Sequence, residues 1–176
     1  MYSFEFQTID SFEETTRFEK GFYLWIWHAN KIPPHIGCSV NGKYFSLKVK
    51  GKDNGIDSFK AFQLIQKKSI PALFIELNES INPSYVQEVF DNYQHAEPEI
   101  ATCLTPISQL FNCLSEVSQL SELLKYLQDR NNIEKVFGVN LDNDYRGILN
   151  YNQEDITNRL QKLKDVKREK HISKTS

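Results

Sequence analysis

The chain has 176 residues, 40% of them apolar, 25% charged and 12% aromatic, and its formal net charge is −2. That length supports one domain with a real core, and that composition excludes a disordered chain. The first residues, MYSFEFQTID, lack the basic start and apolar run of a signal peptide, and no apolar run of about 18 residues is present to span a bilayer, so a cytoplasmic location with no membrane span is expected.

In chain order, Tyr2, Phe4 and Phe6 alternate with polar residues as a half-buried strand does, and Asp10 or Ser11 is placed to cap a short helix through Lys20. Residues 21–28, GFYLWIWH, are aromatic and β-branched on both faces and read as a central strand covered on each side. Tyr23, Trp25 and Trp27 then belong to the core rather than to a stacking platform for bases.

Asn41-Gly42 is a two-residue hairpin signal, because a type I′ turn needs positive φ at both positions. The turn sets Val40 opposite Lys43, Ser39 opposite Tyr44, Cys38 opposite Phe45, Gly37 opposite Ser46, Ile36 opposite Leu47 and His35 opposite Lys48. Ile36, Cys38, Val40, Phe45, Leu47 and Val49 make an apolar face, while His35 shares the other with Gly37, Ser39, Tyr44, Ser46 and Lys48. A histidine at the start of a specified strand behind Pro33-Pro34 is well held.

Residues 51–55 read as a polar, glycine-bounded loop, and Asp57 caps a helix to about Lys68 with Phe59, Phe62 and Ile65 on one stripe. Residues 71–77, PALFIEL, are a strand; Asn82-Pro83 starts a helix carrying Val86, Val89 and Phe90. Thr102-Cys103 then opens the strongest helix, with Leu104, Ile107, Leu110, Phe111, Leu114 and Val117 as its stripe, continued after a break near Ser118. A short strand at KVFGV and a turn-rich LDNDYRG follow, and Asn152 caps a final helix through Ile156, Leu160, Leu163 and Val166. The order of elements gives an α+β domain over 1–170. A small antiparallel sheet with a central hairpin packs on the cysteine-bearing helix, more helices follow, and a frayed basic tail covers 171–176. Residues 158–176 hold seven Lys or Arg against two acidic residues, which reads as a solvated helix end rather than a nucleic-acid arm.

The cysteines at 38, 103 and 113 are odd in number and lack metal-ligand spacing, so free thiols are expected rather than a disulfide framework or zinc site. Cys38 and Cys113 fit as core filler, whereas Cys103 stands in the first turn of a helix, where free N–H groups favour a thiolate. His28 and His95 are alternatives to His35 as its partner.

A strand beginning His35-Ile36-Gly37, a hairpin partner Lys-Tyr-Phe-Ser-Leu, a helix, a strand and a helix opened by Thr102-Cys103 resemble the circularly permuted papain-fold thiol hydrolases, the permuted relatives of NlpC/P60 peptidases, over roughly residues 21–117. The resemblance implies Cys103 as nucleophile and His35 as general base. It further implies a peptide, isopeptide or acyl-ester substrate, a thioester intermediate and no cofactor. It also implies a polar residue orienting the histidine about a dozen positions on, where this chain has Ser46, Leu47 and Lys48; Ser46 and the loop residue Asp53 are the candidates. The rival readings are a non-catalytic binding module on the same scaffold and an adaptor docking through its basic last helix.

Overall fold

β3 (Phe22–Trp27) organises the molecule because all six of its side chains are buried, which only a strand covered on both faces and flanked on both edges can satisfy. The computed structural model describes residues 1–13 and 18–175, the side chains of 167–175 excepted. β3 pairs antiparallel with β4 (His35–Val40) on one edge and β7 (Ala72–Leu77) on the other. β5 (Lys43–Lys48) and β6 (Gly51–Asp57) extend the sheet beyond β4, and β8 (Ile133–Val139) and β2 (Asp10–Ser11) extend it beyond β7. The expected small antiparallel sheet is thus a seven-stranded one, and it is mixed because β2 lies parallel to β8. β1 (Tyr2–Glu5) and β9 (Gly147–Leu149) form a separate antiparallel pair.

The hairpin turn has the expected backbone, with φ of 47° at Asn41 and 84° at Gly42. Its register runs as read from Val40–Lys43 to Gly37–Ser46, but Ile36–Leu47 and His35–Lys48 are not among the paired residues. Two other readings are corrected. Residues 51–55 are not a loop but part of β6, which an unpaired edge of β5 recruits despite its polar sequence; Gly55 at φ 80° and a register shift between Tyr44 and Phe45 accommodate the irregularity. Asp10 and Ser11 do not cap a helix, since they form β2, and the remainder of that expected helix falls partly on residues 14–17, outside the described ones.

Helix starts follow their capping chemistry. Asp57 accepts from the Phe59 amide at 2.8 Å to begin α1 (Ser58–Lys67), and Asn82 accepts from the Ser84 amide at 2.9 Å before α2 (Pro83–Asp91). The long helix expected from Thr102 is shorter: α3 (Leu104–Leu110) ends where Asn112 turns the chain at φ 54°, and α4 (Leu120–Asp129) restarts with Glu122 accepting from the Ser118 and Gln119 amides. The apolar period carries across this break because both helices cover the same core. Asn152 and Asp155 cap α5 (Gln153–Thr175) reciprocally, at 2.8 and 3.0 Å. Where a frayed tail is expected after Lys170, α5 runs on to Thr175. Among the described residues no helix is long and apolar enough to cross a membrane.

The two faces of the sheet hold different cores. Leu24, Ile26, Ile36, Cys38, Phe45 and Ile75 meet Val86, Ile107, Leu123 and Ile156 from α2, α3, α4 and α5. The opposite face is aromatic: Trp25 lies 4.4 Å from Phe18, 4.8 Å from Phe74 and 4.8 Å from Tyr44 between ring centroids, with Phe62 and Ile65 of α1 closing over them. The Trp25 indole N–H donates to Ser39 Oγ at 2.8 Å in a site where both side chains are 0% exposed. Trp25→Phe should therefore lose about 2 kcal/mol, since it leaves a buried hydroxyl short of its donor. Urea denaturation of the two proteins checks this, and an unchanged midpoint would remove Ser39 from the stabilising interactions.

Candidate functional site

His35 is the first residue of β4 and lies across from Trp27 of β3. Strand alternation turns it to the aromatic face with Gly37 and Ser39, while Ile36 points into the other core. Two residues on, an added Cβ at Gly37 would lie 2.7 Å from Tyr44 Cζ and closer still to its hydroxyl, so the glycine is the space the buried Tyr44 ring occupies. On the neighbouring strands Ser46 Oγ donates to Asp53 Oδ2 and Lys48 Nζ donates to Asp53 Oδ1, each at 2.8 Å. Burial pushes the His35 imidazole down to about 4; the Asp53 carboxylate opposes that shift, and Lys48 and His28 add to it. The ring is a neutral base at neutral pH. Among the described residues Asp53 is the one carboxylate that acts on it, and Ser46 holds that carboxylate rather than the ring.

Cys103 immediately precedes α3, but the helix end is capped by its neighbour. Thr102 Oγ1 accepts from the Leu104 amide at 3.2 Å and the Thr102 amide donates to Thr105 Oγ1 at 2.8 Å. The Cys103 sulfur is met by the backbone amides of Ile36, Leu104 and Cys103 itself. Those amides favour a thiolate, yet burial outweighs them and pushes the thiol up from its ordinary value. This reverses the expected acidic thiol. The seven-residue α3 supplies a short dipole, and a neutral His35 supplies no positive charge.

The Ile36 amide beside the sulfur brings the start of β4 to the start of α3, and His35 and Cys103 line one cleft of about 720 Å³. Among the described residues no hydrogen bond joins the two side chains: His35 lies on the aromatic face of the sheet, Cys103 packs against the other core, and neither is among the groups that shift the other's pKa. Leu47, Val49 and Leu104 give the cleft an apolar floor, and Ile156, Leu160 and Leu163 of α5 form a wall. His28 opens on the same cleft, whereas His95 is exposed and 3.6 Å from Glu97. Cys38 and Cys113 are fully buried, and burial raises both thiols. Among the described residues no group of three or more His, Cys, Asp or Glu is placed to hold a metal ion.

Tyr151 was not among the residues singled out from the sequence. Its hydroxyl accepts from the Leu120 amide at 2.9 Å, and burial, with a smaller push from nearby Cys103, holds its phenol up. Only its position one residue before the Asn152 cap marked it, and that says nothing about a cleft. No family model matches the chain, and neither a curated protein nor a solved structure matches it.

Proposed function

We propose that the protein is a cysteine-dependent hydrolase or acyltransferase of the circularly permuted papain type, acting on an amide, isopeptide or ester bond. The observation that carries this reading is the shared cleft, which the Cys103 thiol and a neutral His35 imidazole both line. With the thiol raised and the imidazole lowered, the pair rests uncharged, so His35 takes the proton as sulfur attacks rather than beforehand. Cys103 Sγ bonds to the carbonyl carbon, the Cys103 amide facing the sulfur meets the developing oxyanion, and the tetrahedral adduct collapses to a thioester. The imidazolium returns its proton to the departing amine or alcohol. Water or an acceptor hydroxyl then attacks the thioester and gives its proton to His35, which passes it to the departing Cys103 sulfur and restores the uncharged pair.

Treatment with p-nitrophenyl acetate tests the proposal. A thioester acetyl group is expected on Cys103 by peptide mass spectrometry, with Cys38 and Cys113 unmodified because each is 0% exposed. No adduct at Cys103 overturns it. A second reading, a non-catalytic binding module in the same cleft, draws on the raised thiol and the missing His35–Cys103 hydrogen bond. An adduct that forms equally fast in His35→Ala favours that reading.

A further inference from the structure

We infer that the substrate of this cleft is an anionic amphiphile, an apolar chain that carries a carboxylate or phosphate, held at its charged end by Arg159 and Lys31. This rests on the reading of the cleft as the substrate site. The described residues lining it include Lys31, Lys48, Lys50 and Arg159 but no aspartate or glutamate, in a chain whose net charge is −2. Lys48 is neutralised by Asp53 at 2.8 Å. Arg159 and Lys31 form no ion pair among the described residues, although they come from α5 and the β3–β4 connection, both line the cleft and both act on His28.

Cations gathered at one mouth without a counter-charge repel one another, and a bound anion turns that repulsion into attraction. The same helix that contributes Arg159 contributes Ile156, Leu160 and Leu163, so one face of α5 presents a cation beside an apolar stripe. A volume of about 720 Å³ suits a ligand of small-molecule size, with its chain along that stripe and over Leu47 and Val49. Arg159 offers a planar fork matched to two oxygens, and Lys31 adds a point charge.

Calorimetric titration at low salt with decanoate, decyl phosphate and decanol tests the inference on the full chain carrying Cys103→Ala, so that no covalent step intervenes. Decanoate or decyl phosphate is expected to bind at least tenfold more tightly than decanol, and the tighter of the two identifies the acid. Arg159→Gln with Lys31→Gln should abolish that preference and leave decanol binding unchanged. Equal affinity for decanol and the two acids, or a preference that survives the double substitution, overturns the inference. Charge preference without any acylation of Cys103 in the parent protein would retain the inference as a binding property and overturn the thiol chemistry; acylation without charge preference would do the reverse.

Discussion

His35→Ala is expected to slow acylation of Cys103 by about 10²- to 10⁴-fold, the usual range for loss of a positioned general base, and Cys103→Ala to remove it altogether. The pH dependence separates this from a general loss of structure. Because burial holds the His35 imidazole near 4, the wild-type rate should be insensitive to that group from neutral pH down to about 5 and fall only as the ring protonates near 4. A pair poised as thiolate and imidazolium would instead lose activity on the alkaline side, as its imidazolium gives up the proton that the leaving group needs. In His35→Ala the remaining route needs free thiolate. Its rate should climb with pH to beyond the ordinary thiol range, since burial raises Cys103. Asp53→Asn removes the charge that supports the imidazolium, so the ring becomes a weaker base and the rate drops by less than about tenfold, as suits a positioning residue. Stopped-flow release of p-nitrophenolate from pH 3.5 to 10 reads all of these, and an acid limb centred near 6.5 would defeat the uncharged-pair mechanism.

The same shift has a consequence for stability. His35 has a lower pKa folded than unfolded, so between about 6.5 and about 4 the unfolded chain binds more protons than the native one. The contribution is therefore complete above 6.5 and is lost as pH falls toward 4. Its ceiling is about 3 kcal/mol, reduced because the residue is only partly buried. His35→Ala should flatten the stability profile across that window.

What the sequence made legible was whatever a local rule controls. Asn41-Gly42 set the hairpin register, Asp57 and Asn82 marked helix starts, and the unbroken apolarity of 22–27 identified the central strand. What it concealed depended on partners far along the chain. β6 is polar and becomes a strand only because β5 offers an edge, and two-residue β2 exists only through β8. At the site, His35 and Cys103 were legible as residues, one at a strand start and one before a helix, but their electrostatics were not. A strand start and a helix start suggest exposure, and burial on assembly reverses the expected acidity of the thiol. Asp53 was visible only as a loop carboxylate, because its approach to His35 follows from the Ser46–Asp53 pairing of β5 with β6.

Gly37→Ala is expected to cost about 3 kcal/mol, the upper part of the range for overpacking a filled core, and to lower the melting temperature by about 6–12 °C. The added methyl would stand 2.7 Å from Tyr44 Cζ and 2.8 Å from the Phe45 carbonyl oxygen. Neither neighbour has room to yield. Tyr44 is 1% exposed and wedged between Trp25 and Trp27, at 4.8 and 5.8 Å between centroids, and the Phe45 carbonyl belongs to the strand paired with β4. Relief by separating the strands would move β4 at its first residues, where His35 is held, so acylation of Cys103 should fall together with stability. Tyr44→Phe removes the nearest atom of the ring, and in the Gly37→Ala background it should restore part of both losses even though it is destabilising alone. Thermal melts and acylation rates for the two single variants and the double variant form a complete cycle. A Gly37→Ala protein that melts within about 2 °C of its parent would mean that the glycine in His-x-Gly does not serve the Tyr44 ring, and that its place beside His35 needs a chemical rather than a steric reason.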